Sequence, residues 1–330
     1  MSTLSRINGL HATELSGAEY HAVLTTAGYE ARSTHIAEAV NPLARIRTAC
    51  SFSERQVGCY ERNVAAYRNM NFEVPVIAED DVAEWTRNWF QNVVRENSDC
   101  DRVRVCVDIS CMSRIRIASI LAALLELQDG PSVDVDFLYS IAKFVRPVAL
   151  SAPNVSAQPV LSLFAGWNAD LSLPITALIG LGYEPGKAIG SFEYLEATNV
   201  WTFCPIGDDD RYDRAVKKAN ASLLDHTPKK QNVFYRLDQP LTCFGTLESI
   251  VYGLLPSQRP VLLPFGPKIF ALVAMLVACV HREVPVWRIS SGQSGSPEPR
   301  EASGKILGLR VAFDTAKETI EMTDGMSAGV

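Results

Sequence analysis

The sequence predicts an α/β chain of two tandem Rossmann-like parallel-sheet units related by internal duplication, the first over 1–150 and the second over 151–330. Two observations predict it. Near-continuous apolar runs of strand length alternate with stretches of helical periodicity, the pattern of a parallel sheet covered on both faces. Short motifs also recur in the same order at a nearly constant offset. HAVLTTAGYE at 21–30 and TALIGLGYE at 176–184 both carry an apolar run into Gly-Tyr-Glu, and 182 − 28 gives an offset of 154. A basic residue follows each, Arg32 or Lys187. VRVCVDISCMSR at 103–114 is matched by VLLPFGPK at 261–268, and Arg114 to Lys268 is again 154. Between these anchors YERNV at 60–64 echoes YDRAV at 212–216, at 152. The seam falls at 151–159, rich in Pro, Ser and Asn.

In the first unit the runs at 22–26, 46–51, 72–77, 103–109 and 133–139 are expected strands. Helices are expected at 33–40, 59–69, 81–95 and 113–127; the third opens on acidic residues, which suit the positive end of a helix. In the second unit the strands are expected at 177–181, 199–203, 233–237, 261–263 and 284–289. The tail SSGQSGSPEPREASG reads as a mobile loop near 290–304, with one more edge strand at 307–313.

Composition narrows the function. A 47% hydrophobic and 21% charged chain is globular, and a net charge of −6 with a pI near 5.5 supplies no broad basic face for general nucleic-acid or membrane-surface binding. The eight cysteines form no CxxC pair and mostly lie in or beside apolar runs, where a thiol is a small core residue. The first twenty residues lack the basic-then-apolar pattern of a secretory signal, and the apolar run 269–280 is shorter than the about 20 residues that span a bilayer. A cytoplasmic, soluble protein is expected. No GxGxxG follows a strand, no GxxxxGK[ST] occurs, and five histidines show no HxH or HxxxH spacing, so no cofactor and no metal is expected.

Ligands of open parallel sheets bind beyond the carboxyl ends of the strands. Gly28, Tyr29, Glu30, Arg32 and Ser33 follow the first strand; Asp108, Ser110, Cys111, Ser113 and Arg114 follow the fourth. Their second-unit counterparts are Gly182, Tyr183, Glu184 and Lys187, then Gly266 and Lys268. A cation in the first turn of a helix opposes the dipole, unless it shares a bound anion with the free N–H groups. Arg114 and Lys268 both take that position, as a phosphate-bearing ligand requires. Gly-Tyr-Glu also suits a strand-ending turn with Glu30 paired to Arg32, and Asp108 also suits a plain helix cap. Cys111, near a helix start, is either an activated thiol or a buried one. The acidic run 207–210 reads as an exposed loop capping the helix from Arg211, with oxygen ligation of a divalent ion the sharper alternative.

The run Asp108-Ile-Ser-Cys-Met-Ser-Arg114 resembles the strand-to-helix motif of CRISPR-associated Rossmann-fold (CARF) sensor domains, in which Asp-x-Thr/Ser-x-Gly-x-Lys/Arg meets the backbone of a cyclic oligonucleotide. Asp108, Ser110 and Arg114 match it; Met112 stands where that family has glycine. The loop 27–33 resembles the family's other ligand loop. Two such units in one chain resemble the SAVED sensors of cyclic-oligonucleotide antiphage systems. The resemblance implies a nucleotide-type ligand in a cleft between the units, with phosphates at Arg114, Arg32, Lys268 and Lys187 and bases on Tyr29 and Tyr183. It also implies a separate effector protein, because no stretch is left for a nuclease or protease domain. The alternative is an enzyme on a nucleotide or phosphoribosyl substrate, with Asp108 and Glu30 as acid and base and Cys111 or Ser110 as nucleophile. A structural subunit with two degenerate sites is the third possibility.

Overall fold

Apolar strands flanked by amphipathic helices leave the chain one economical arrangement, sheets with helices on both faces. The computed structural model describes residues 2–10, 14–15, 17–54, 56–147, 156–167, 170–290 and 300–315. The first half supplies β1 (Thr3–Leu10), β2 (Glu19–Ala27), α1 (His35–Val40), β3 (Leu43–Phe52), α2 (Tyr60–Asn69), β4 (Val76–Ile77), α3 (Val82–Glu96), β5 (Arg102–Asp108), α4 (Arg114–Glu126) and β6 (Ser132–Ala142). The second supplies β7 (Ser156–Pro159), β8 (Ile175–Gly180), α5 (Lys187–Tyr194), β9 (Asn199–Ile206), α6 (Asp210–Ala219), α7 (Ala221–His226), β10 (Asn232–Arg236), α8 (Pro240–Leu254), β11 (Arg259–Pro264), α9 (Lys268–Val280), β12 (Trp287–Ser290) and β13 (Ala302–Asp314).

Strands β2 to β6 are parallel neighbours in the order β6-β5-β2-β3-β4, so the chain reverses direction across the sheet between β2 and β5. The second sheet runs β10-β9-β8-β11, all parallel. Counted from β2 and from β8, the parallel strands read 3-2-1-4-5 in the first sheet and 3-2-1-4 in the second, and the crevice at the reversal is where such sheets take ligands.

The helices after the fourth strands decide how the two sheets meet. In α4 the Ser113 side chain accepts a hydrogen bond from the Arg116 amide at 3.2 Å, capping the helix. Helix α9 is apolar on every side because it is buried on every side: all residues from Ile269 to Cys279 are buried, against α4 and α8. Each fully buried Leu, Val, Met or Phe there contributes about 1.5–3 kcal/mol. The α4–α9 contact joins the apolar faces of both sheets into one core that includes Val105 and Leu121 of the first half and Leu262 and Leu276 of the second.

That core and the end of the chain both cross the expected boundary at 150/151. Strand β13, expected as an edge strand of the second unit, lies inside the first sheet, antiparallel to β6 on one side and β1 on the other. Its apolar residues Leu309, Val311 and Phe313 are fully buried there. The third expected strand shrinks to β4, because Pro75 has no N–H for the ladder; only its carbonyl is used, accepting from the Ser51 amide at 2.8 Å. Beyond β11, Val286 makes a parallel bridge to Leu262, after which β12 pairs antiparallel with β7. Of the loop expected near 290–304, residues 291–299 lie outside the described residues, and 302–304 already belong to β13. Of the expected seam, 151–155 lies outside them and 156–159 is β7. No described helix is long and apolar enough to cross a membrane.

Candidate functional site

The loop after β2 is built by its own short side chains. Ser33 Oγ donates to the Thr26 carbonyl at 2.7 Å and accepts from the Gly28 amide at 3.1 Å, closing the turn. A Cβ on Gly28 would stand 3.2 Å from that of Cys111, a tight contact that marks how closely the loops after β2 and β5 approach. From α2 the buried Asn63 amide donates to the carbonyls of Gly28 and Glu30, both at 2.8 Å, and the Tyr29 carbonyl accepts from the Cys59 amide at 3.0 Å.

Arg32 is 3% exposed and fully engaged. Its Nε donates to Glu30 Oε2 at 2.6 Å, Nη1 to the Ser140 carbonyl at 2.5 Å and Nη2 to the Ser110 carbonyl at 3.1 Å, while the guanidinium lies 5.4 Å from the Tyr139 ring centre. It ties together the ends of β2, β5 and β6 and fixes Glu30. The turn reading of Gly-Tyr-Glu therefore describes this loop, and Arg32 is not placed to meet a phosphate.

Asp108 is 3% exposed as well. Its Oδ1 accepts from the Ser110 amide at 2.8 Å and its Oδ2 from Thr25 Oγ1 at 3.5 Å. Burial pushes its carboxyl up to about 6, against the hydrogen bonds from Ser110 and the nearby Arg32. Ser110 is itself fully buried, its hydroxyl accepting from the Ser140 amide at 2.8 Å. Burial and then Glu30 push the Cys111 thiol up, away from the thiolate that a nucleophile needs. Asp108 thus ties the loop after β5 to β2 through Ser110 and Thr25, and Ser110 ties that loop to β6 through the Ser140 amide, so both are engaged within the fold.

The second unit's loops are set by glycine. Gly266 has φ +69°, and a Cβ there would collide with the Leu181 carbonyl oxygen; one on Gly182 would come within 2.9 Å of the Gly266 amide nitrogen. The Asn220 side chain donates to the Gly182 carbonyl at 2.7 Å, as Asn63 does to Gly28. Glu184 is exposed, and Lys187 begins α5 behind the left-handed Gly186.

Between the units the two helix-leading cations come together, on different terms. Arg114 Nε donates across the seam to the Pro264 carbonyl at 2.6 Å, and Nη2 to the Gly266 carbonyl at 3.4 Å. Lys268 is half-buried, and no hydrogen-bond or ion-pair acceptor meets its ammonium among the described residues. Burial lowers it to about 7, with Arg114 pushing the same way, Glu30 opposing and Arg32 again lowering it.

Tyr212, Arg300 and Tyr139, which the sequence did not single out, join the expected Tyr183 here. Tyr183 and Tyr212 have ring centres 6.1 Å apart, and the Arg300 guanidinium lies 5.3 Å from the centre of the Tyr183 ring. Arg300 is locked to the first unit, its carbonyl accepting from the Arg32 amide at 3.0 Å. Tyr139 lies beneath Arg32. Tyr212 sits in the repeated YDRAV motif, a signal available in the sequence; nothing in the polar tail marks Arg300, which only the return of β13 brings here. The seam thus offers a cation lacking an acceptor, an aromatic wall and a carboxylate held by Arg32.

No described cluster of three or more His, Cys, Asp or Glu is placed to hold a metal, and all eight cysteines are free thiols. No protein-family model and no curated protein matches the chain.

Proposed function

We propose that this chain is a cytoplasmic, pseudo-symmetric sensor, derived by internal duplication, that binds a nucleotide-type ligand at the seam between its two Rossmann-like units and through it regulates a separate effector in antiphage defence. A cyclic oligonucleotide is the ligand that the resemblance to CARF and SAVED sensors favours. The observation that carries the reading is Lys268, an ammonium with no described acceptor, at the meeting point of both sheets' ligand loops. A half-buried lysine at the start of a helix, beside free N–H groups, suits an anionic ligand. Tyr183, Tyr212 and Arg300, grouped near Glu30 and Arg32, supply aromatic and guanidinium faces of the kind on which a base stacks. The common 3-2-1-4 strand order and the like placement of Arg114 and Lys268 at the heads of α4 and α9 support the duplication.

Nothing favours the enzyme reading, since Asp108 and Ser110 are buried within their own loops. The test is a panel of nucleotides and cyclic oligonucleotides incubated with the protein, following melting temperature and products by mass spectrometry. A raised melting temperature with the ligand recovered intact is expected. Ligand turnover, or no shift with any member, overturns the sensor.

A further inference from the structure

Glu30 sits within the seam, yet neither the anion contact nor the stacking faces employ it. Its side chain is 12% exposed. Oε2 accepts from Arg32 Nε at 2.6 Å, while Arg32 spends Nη1 on the Ser140 carbonyl and Nη2 on the Ser110 carbonyl. A guanidinium fork ordinarily takes both oxygens of a carboxylate. Here both Nη groups are committed to backbone, and among the described residues no donor meets Oε1. The carboxylate is fixed in orientation and keeps an open oxygen.

The aromatic wall stands beside it. The Arg32 amide donates to the Arg300 carbonyl at 3.0 Å, the Arg300 guanidinium lies 5.3 Å from the Tyr183 ring centre, and the Tyr212 ring follows at 6.1 Å. The charge of Glu30 acts on Arg300, Tyr212 and Lys268 alike. Its second-unit counterpart, Glu184, is exposed, lies over Gly182 and acts on Arg114.

We infer that Glu30 reads the edge of the ligand's base, and that the base is guanine. This rests on the nucleotide reading above and names the base. A carboxylate accepts hydrogen bonds and donates none. The Watson–Crick edge of guanine offers it two adjacent donors, N1–H and the N2 amine. Adenine sets its N6 amine beside a bare N1, cytosine its N4 amine beside a bare N3, and uracil flanks its single N3–H with two carbonyls. In each of those a lone pair faces one carboxylate oxygen. Oε1 is open, and Oε2, holding one hydrogen bond, accepts a second. Guanine alone satisfies both.

The test is calorimetric titration of the full chain with GMP and AMP, and with cyclic di-GMP and cyclic di-AMP. The guanine member of each pair is expected to bind about tenfold or more tightly, the usual worth of a bidentate base contact. In Glu30→Gln, Arg32 can only donate, so it holds the amide oxygen and turns the NH2 toward the base, donor against donor. The guanine-to-adenine affinity ratio should then fall to one or below. That ratio is read within one protein, so a general loss of affinity or of folded chain does not imitate it. Circular dichroism checks the variant's fold, and the parent's own ratio decides without it. 2′-Deoxy-GMP should bind as GMP does, because the base and not the ribose meets Glu30. Equal affinity for the two bases or a preference for adenine in the parent, a guanine preference that survives Glu30→Gln, or a marked loss with the deoxy ligand overturns this inference and leaves the nucleotide site standing. Failure of all these ligands to bind overturns the site as well.

Discussion

At the scale of single residues, the charged groups of the loops divide into those that build and those that wait. Arg32 and Asp108 build: both are 3% exposed and engaged with backbone. Their places at strand ends were legible in the sequence, and so was the pairing of Glu30 with Arg32. What was not legible is direction, because a residue two positions past a strand points outward or under the sheet according to turns made by Ser33 and Asn63. Asp108 gives a test. Folded, it keeps its proton to about pH 6, whereas the unfolded chain releases it near 3.8. The folded state binds the extra proton between these values, so this carboxyl lowers stability as pH rises through the window. Asp108→Asn should therefore be more stable than the parent by about 2–3 kcal/mol at pH 7 in urea unfolding, with the gain gone below pH 4. A variant less stable than the parent at pH 7 would show that the ionised form is the one the loop is built around.

Among elements, the strands and helices around the reversal follow the apolar runs closely: β5 and α4 were expected at 103–109 and 113–127 and run Arg102–Asp108 and Arg114–Glu126. Two elements were not readable from periodicity. Strand β1 is an edge strand whose TLSRINGL sequence is mostly polar, and the third strand is cut short by Pro75. Glycine separates loop demands from helix demands. At Gly266, with φ +69° and the Leu181 carbonyl in the way, alanine should cost about 1–3 kcal/mol and loosen the carbonyls that hold Arg114. At the exposed Gly245 of α8, where a Cβ meets nothing within 4 Å, alanine should instead stabilise by about 0.5–1 kcal/mol. Chemical unfolding of the two variants reads both signs. Equal effects would mean that Gly266 is no tighter a position than a surface helix site.

For the whole molecule, periodicity revealed two sheets but not where the last strand goes. Pairing partners depend on the return path of the chain, and the apolar pattern of 307–313 fits either sheet. Because β13 lies within the first sheet and α4 packs on α9, the two halves share one core. Residues 1–150 alone should therefore give no cooperative thermal transition, while the full chain melts in one; a fragment that melts cooperatively near the parent's temperature would make the halves independent. The same geometry brings the loops after β2, β5 and β11 together at Lys268, the seam proposed above to bind a nucleotide-type ligand. The most direct measurement of that binding is a calorimetric titration, into the parent and into Lys268→Ala, of whichever cyclic oligonucleotide or nucleotide raises the melting temperature most. The account predicts one ligand per chain and a loss of about tenfold or more in the variant, the usual worth of a hydrogen bond to a charged group. Equal affinity in both proteins would contradict it.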